Sequence, residues 1–292
     1  MNYNKWLTNN GQSLVGKTVA LTGATGGLGK EICLHLCSLG AKVVAIGRNA
    51  KKLGDLTLLI KEKYPQAQVE TEIADFESLQ SVKDACDRLS ARNIDALILN
   101  AGAYAIECKT TVDGFDNVFQ INFVAPYLMA KLLAPTLEKS QIGRVVAVSS
   151  LAHTFTKIDE GDVQFKNCKN AEKVYGNAKR YLTLALFSLF CGKPDRLSIT
   201  HPGITPTGIT SHYPKWLQFI INLPMKLIFS SPKKASLCII KGVFDFCDFA
   251  EWIGPRAFNI WGKPKKKKIK GYNKGEKEFA FAFAENCIKD FL

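Results

Sequence analysis

The stretch KVYGNAKRY at 173–181 sets Tyr175 and Lys179 four residues apart, with only Gly176, Asn177 and Ala178 between them. On a helix, residues i and i+4 lie on one face, so a phenol and an ammonium would share one small volume. A free phenol titrates near pH 10, too high for an effective base at neutrality. A cation one turn away favours the phenolate and lowers that value, which would make the pair a general acid/base. The same spacing also fits an ordinary pair on a solvated helix face, and Tyr-x-x-x-Lys arises readily by chance. The rest of the chain must decide.

A second chemical feature is LTGATGGLGKE at 21–31, between the apolar run KTVALTG and the helical stretch GLGKEICLHLCSLGA. Gly23, Gly27 and Gly29 let the backbone turn tightly and approach a ligand with no Cβ in the way. The free N–H groups that open the next helix, with its dipole, attract a pyrophosphate. The spacing is G-x-x-x-G-x-G, which differs from G-x-G-x-x-G, and Lys30 lacks the following Ser or Thr of a phosphate-binding P-loop. In a strand–turn–helix setting this loop reads as a dinucleotide site, with a purely structural turn as the alternative.

The elements that must position these residues follow a regular alternation. Short β-rich runs at 17–23, 42–47, 68–73, 95–100, 144–150 and 197–200 are separated by helical stretches, among them 77–90, 115–138 and 173–191. Runs that are apolar on both faces suit a covered parallel sheet. The expected fold is therefore α/β, a single-domain doubly wound parallel sheet with helices on both faces, over 1–292 with a core at about 15–260. Beyond residue 200, HPGITPTG is turn-rich and WLQFIINLPMKLIF (216–229) is apolar. The latter is broken by Pro224 and Lys226 and is shorter than the roughly 20 residues of a membrane span. The region 203–230 reads as a lid over a substrate, and SPKKASLCIIKGVFDFC (231–247) as a helix. Phe279, Phe283, Cys287 and Phe291 form an i, i+4 stripe that predicts a terminal helix docked on the body, although the Phe–Ala alternation at 279–284 also suits a strand.

Composition narrows the setting. A chain of 292 residues, 47% hydrophobic and 22% charged, is that of a globular protein able to bury a sizeable core. The opening MNYNKWLTNNGQSLVGK has no apolar core of a signal peptide. Nine cysteines scattered singly, with no CxxC, imply reduced thiols and a cytoplasmic location rather than a zinc site. His35, His153, His201 and His212 show no metal-ligand spacing, and His153 and His201 are expected to be packed or hydrogen-bonded. The net charge of +13 owes six lysines to KPKKKKIK at 263–270, which reads as a solvated, mobile segment. No nucleic-acid signature accompanies it, so no nucleic-acid partner is expected. Together with the apolar stretch, the run suggests peripheral membrane contact.

Taken in order, the motifs resemble one family. TGATGGLG is similar to the TGxxxGxG loop of the short-chain dehydrogenase/reductases. Asn100-Ala-Gly102, Asn122 in FQINFVAPYL, Ser150 closing RVVAVSS, Tyr175 and Lys179 in YGNAK, and HPGITPT at 201–207 follow in that family's sequence. The resemblance covers about 15–260. The long stretch between Ser150 and Tyr175 and the HPG turn look most like the retinol-dehydrogenase-like branch. The resemblance implies an oxidoreductase that interconverts an alcohol and a carbonyl, with Asn122, Ser150, Tyr175 and Lys179 as its catalytic set. In it, Tyr175 is the general acid/base. Lys179 tunes the phenol and holds the nicotinamide ribose. Ser150 hydrogen-bonds the substrate oxygen, and Asn122 anchors a water that relays protons. Choosing Ser150 over Ser149 rests on motif alignment. Cofactor contacts would come from Gly23, Thr25, Gly27, Leu28, Gly29, Asn100, Gly102, Tyr175, Lys179, Pro202, Gly203 and Ile204. A homo-oligomer is a further implication.

Cofactor choice is read from the second strand's end, AIGRNAKK (45–52), which has no acid and three cations. Arg48 is placed to meet a 2′-phosphate that a carboxylate would repel, so NADP(H) is expected over NAD(H), unless Arg48 is a solvated loop residue. In TEIADFESL (71–79), either Glu72 or Asp75 would face the adenine. Segments at 102–108, 151–160 and 203–229 would form the substrate pocket, and their apolar residues suggest a lipophilic alcohol or carbonyl. Those residues would equally serve to pack the lid. The rival function is a non-catalytic dinucleotide-binding redox sensor or scaffold. The complete Asn122, Ser150, Tyr175 and Lys179 set favours the enzyme, since a binder has no use for an activated phenol.

Overall fold

A computed structural model describes residues 3–166, 168, 170–203 and 230–292. The proposed lid, including Ile204, lies almost wholly outside the described residues. Eight strands form one sheet: β1 (Thr18–Thr22), β2 (Lys42–Gly47), β3 (Val69–Ile73), β4 (Ala96–Leu99), β5 (Arg144–Val148), β6 (Leu197–Thr200), β7 (Glu251–Ala257) and β8 (Trp261–Lys268). Their order is β3-β2-β1-β4-β5-β6-β7-β8; the first seven run parallel and only β8 is antiparallel, on β7. The chain winds outward from β1 to β3, then returns to place β4 on the other side of β1. A crevice opens beyond the carboxyl ends at that switch point.

The apolar runs became the central strands because both their faces are covered. Every residue of β4 and β6 is buried, as are the last four of β1 and β5. On one face, α2 (Gly27–Ser38), α3 (Ala50–Lys63) and α7 (Pro232–Phe244) pack around Ile32, Val43, Ile98 and Ile240. On the other, α4 (Leu79–Ser90), α5 (Asn117–Glu138), α6 (Ala171–Leu189) and α8 (Lys274–Ile288) enclose Leu97, Phe123, Tyr181 and Ile288. A further helix, α1 (Tyr3–Asn10), precedes β1. Side-chain oxygens of Asn49, Ser78, Asn170 and Asn273 accept backbone N–H bonds at four helix starts, which fixes where α3, α4, α6 and α8 begin. Helix α5 is long and apolar enough to cross a membrane by length and composition, but 78% of its apolar window is buried inside this fold.

Two expectations about the chain's end meet different outcomes. The Phe279/Phe283 stripe does form a helix: Phe283 packs against Phe119, Phe123 and Tyr181. The lysine run is exposed, as expected, but it is not an irregular mobile segment, because residues 261–268 are strand β8, hydrogen-bonded to β7. Two of its lysines explain why a strand is tolerated there. Lys266 pairs with Asp245 at 3.1 Å over the Phe246 ring, and Lys267 donates to Pro255 O at 2.7 Å. Their stems pack while their charges are neutralised or hydrogen-bonded.

Candidate active site

A cleft of about 680 Å³ runs along the carboxyl ends of the strands, from Arg48 and Asp75 at one end to Ser150, Tyr175 and Lys179 at the other. Its floor is the glycine loop. Gly23 has φ +64°, and a Cβ there would come within 2.8 Å of Ala101 Cα. A Cβ on Gly29 would stand 2.1 Å from Gly23 O, so the third glycine lets helix α2 sit against its own loop. The N-cap, Gly26, offers no side chain to the first helical N–H groups. Thr25, Gly27, Leu28 and Gly29 all line the cleft. Asn100 braces the loop: its Nδ2 donates to Thr22 O at 3.0 Å and Gly23 O at 3.2 Å, while its backbone N–H donates to Thr22 Oγ1 at 2.9 Å. Uncapped amides at a helix start, glycines that expose backbone and a long cleft fit a dinucleotide's pyrophosphate.

Tyr175 and Lys179 do reach one place. The Lys179 Nζ lies 5.8 Å from the Tyr175 ring centroid and donates to Val148 O at 3.1 Å. Ser150 lies beside the Tyr175 hydroxyl, near enough to pull its titration down. Its neighbour Ser149 is buried and tied to His153 Nδ1 at 2.8 Å and Thr183 Oγ1 at 3.1 Å, so Ser150 is the serine that faces the phenol. In the chain alone, without the charge of an oxidised nicotinamide, the phenol is pushed up to about 12, first by burial, with Ser150 pulling it down and Tyr104 pushing it up. Tyr175 is half-buried, and the protein atoms packed around it oppose the phenolate. Burial also brings Lys179 down to about 8. Desolvation thus exceeds the attraction that the spacing alone suggested.

The other expected residues divide. Asn122 is fully buried and does not line the cleft. It sits in a π-turn, Gln120–Val124, within α5, and its Nδ2 donates to Val118 O at 2.8 Å and Ala103 O at 2.7 Å. Gly102 is required beside it, because a Cβ there would lie 2.8 Å from Asn122 Oδ1 and 3.5 Å from Lys179 Nζ. Pro202 and Gly203 line the cleft, whereas Ile204 falls outside the described residues. Arg48 lines it too, 67% exposed and paired with Glu77 at 3.2 Å; Glu77 also pairs with Lys109. Of the two acids weighed for the adenine, Asp75 reaches the cleft. Glu72 is held instead by Arg88 at 2.9 Å and Arg92 at 2.7 Å. His153 and His201 are buried, and burial lowers them to about 3 and about 4. His201 stacks on Trp252 at 4.9 Å and contacts Asn259 O through Nε2 at 3.1 Å.

Two features were missed by sequence reasoning. Tyr104 meets Tyr175 edge to face, with ring centroids 5.4 Å apart. Arg180, the residue after Lys179, is 2% exposed and binds Glu276 of α8 through Nε at 3.1 Å and through a second nitrogen at 2.5 Å. Neither sits in a motif, and only contacts across the fold reveal them.

The short chain dehydrogenase family matches residues 17–159. The "Putative daunorubicin C-13 ketoreductase DnrU" of Streptomyces sp. (strain C5) is 34% identical over 67% of this chain and 68% of its own. This chain belongs to the short-chain dehydrogenase/reductases. Human retinol dehydrogenase 13 is 29% identical over 68% of this chain and 62% of its own, in keeping with the branch expected. The chain spans about half the length of the WW domain-containing oxidoreductases it also matches. A crystal structure of an uncharacterized protein from Mycobacterium paratuberculosis superposes with a TM-score of 0.73 at 26% identity, over 95% of each chain. Membership makes the protein an oxidoreductase with NAD(P) as its cofactor class.

Proposed function

We propose that the protein interconverts an alcohol and a carbonyl with NADP(H), Tyr175 acting as general acid/base. The observation that carries this reading is the convergence of Ser150, the Tyr175 phenol and the Lys179 ammonium at one end of the cleft, Lys179 Nζ lying 5.8 Å from the Tyr175 ring centroid. When bound, the nicotinamide supplies or accepts the hydride. The chain's own residues handle the rest. The Tyr175 hydroxyl gives its proton to the carbonyl oxygen during reduction and takes one from the alcohol during oxidation. Ser150 holds that oxygen in line. Lys179 keeps donors free beyond its bond to Val148 O, and these suit the ribose hydroxyls. Asn122 Oδ1 and Lys179 Nζ converge beside Gly102, which supports a water relay between them. Asp75 is the acid placed to meet the adenine.

NADP(H) over NAD(H) rests on Arg48, since no carboxylate ends β2. An exposed pair such as Arg48–Glu77 is worth at most about 1 kcal/mol, so the guanidinium can turn to a 2′-phosphate at little cost. A charge-assisted bond of 1.5–3 kcal/mol would follow, so Arg48→Ala should raise the KM for NADPH by about 10- to 100-fold and leave NADH unchanged. A clear NADH preference in the unaltered protein would end this part of the proposal.

Ile106, Ile121, Leu151 and Phe155 line the cleft, which supports a lipophilic substrate. Nine free thiols support a reducing, cytoplasmic setting. A screen of lipophilic aldehydes and ketones with NADPH is the direct test, with cofactor binding followed by fluorescence. Turnover of some member is expected; tight NADPH binding without turnover of any would favour the sensor or scaffold reading.

A further inference from the structure

The lysine-rich edge of the sheet has no part in the chemistry above. Strands β7 and β8 form a hairpin whose turn bears Phe258, 81% exposed, and Trp261, 39% exposed, with ring centroids 6.0 Å apart. Phe258 and Asn259 both have left-handed backbones, at φ +49° and +58°. Asparagine accepts that conformation readily, whereas a bulky phenylalanine there is an outlier held out into solvent. Below the turn, β8 is the sheet's outermost strand. Lys266 and Lys267 have protein partners, but Lys263, Lys265 and Lys268 have none among the described residues, and Arg256 is exposed beside them. The nearby acids are few. Asp245 is held by Lys241 and Lys266, and Glu251, across the ladder from Lys268, accepts the Asp248 N–H.

The hairpin also touches the rim of the cleft. Asn259 O contacts His201, and Ile260 O accepts from Ser230 Oγ at 3.2 Å and would stand 2.8 Å from a Cβ on Gly203. His201 and Gly203 line the cleft.

We infer that the β7–β8 hairpin docks the protein on an anionic lipid bilayer, Phe258 and Trp261 entering the headgroup boundary while Lys263, Lys265 and Lys268 face the charged headgroups. Paired aromatics with a polar flank are the residues that settle at that boundary. Unpaired lysines next to them match a negative surface and bind it within a Debye length. Lysines on an edge strand also discourage strand-to-strand association, which argues against a second copy as the occupant. Docked this way, the cleft rim would lie next to the membrane, where lipophilic molecules reside.

The test uses the full chain sedimented with vesicles of phosphatidylcholine alone and of phosphatidylcholine with phosphatidylserine. Binding to the second, weakened by salt, is expected. K263Q/K265Q/K268Q should weaken it on the order of a hundredfold, from roughly fivefold per lysine. F258S/W261S should weaken it about tenfold or more. Both sets lie on the surface, and their melting and soluble-carbonyl turnover should match the unaltered protein. Loss of docking is thereby distinguished from any failure of the catalytic reading. No sedimentation, or sedimentation that neither variant changes, overturns the inference. So does a dimer that these variants dissociate, or tighter binding to an oligonucleotide than to vesicles.

Discussion

Tyr175→Phe is expected to lower turnover by about 10²–10⁴-fold, the usual contribution of a general acid/base, while NADPH still binds. The substitution removes one oxygen and keeps the ring that packs edge to face on Tyr104. Stability should therefore hold, which separates a catalytic loss from a folding one. Steady-state kinetics beside a cofactor titration give the answer. Turnover undiminished in the variant would remove Tyr175 from the mechanism.

The direction of the pKa shifts adds a second readout of the same residue. A phenol pushed up to about 12 holds its proton across neutral pH, so it is ready to donate. Carbonyl reduction should thus be flat with pH through neutrality. It should decline as pH climbs past 8, where Lys179, lowered to about 8, loses its charge. Oxidation needs the opposite form. Oxidation should rise with pH through neutrality, up to the Lys179 limit. Burial therefore biases the side chains toward reduction at neutral pH. Oxidation that is fastest near pH 6 would contradict this picture.

The sheet was readable because five strands, β1, β2, β4, β5 and β6, are buried on both faces, and burial leaves a continuous apolar run in the sequence. The β7–β8 hairpin leaves no such trace. Pro255 interrupts EWIGPRA and the next strand is WGKPKKKK, so neither segment has the composition of a strand. Each exists because the other supplies its hydrogen bonds. The candidate site was legible to the extent that its residues sit at fixed distances from strand ends, as Gly23, Asn100, Ser150 and Tyr175 do. What burial does to a side chain was not. The spacing of Tyr175 and Lys179 shows that a charge is near the phenol, but not that enclosure outweighs it. Glu72 and Asp75 could not be separated by pattern either. The choice depended on which one Arg88 and Arg92, sixteen and twenty residues away, would capture.

Arg180→Met should destabilise the fold by about 3–5 kcal/mol, the cost of stripping one partner from a buried ion pair. Its guanidinium meets both Glu276 oxygens, His153 O at 3.2 Å and Gly271 O at 2.6 Å, and lies 4.7 Å above the Tyr272 ring. Removing it strips the carboxylate of its charged partner, leaving it the N–H groups of Ile158 and Asn273, and takes a donor from two carbonyls. Replacing both partners avoids the stranded charge, so Arg180→Met with Glu276→Leu should recover much of the loss. Urea denaturation of the two variants beside Glu276→Gln, which keeps a neutral acceptor, would resolve the order. Equal midpoints for Arg180→Met and the unaltered protein would show that the pair contributes nothing. The contact matters to the site as well, because Arg180 follows Lys179 on α6 and holds the carbonyl of His153, three residues past Ser150. The terminal helix α8 thus fixes, through Glu276, both the strand of helix that carries Tyr175 and Lys179 and the turn that carries Ser150. Even the better-tolerated Glu276→Gln should reduce kcat more than it changes the KM for NADPH.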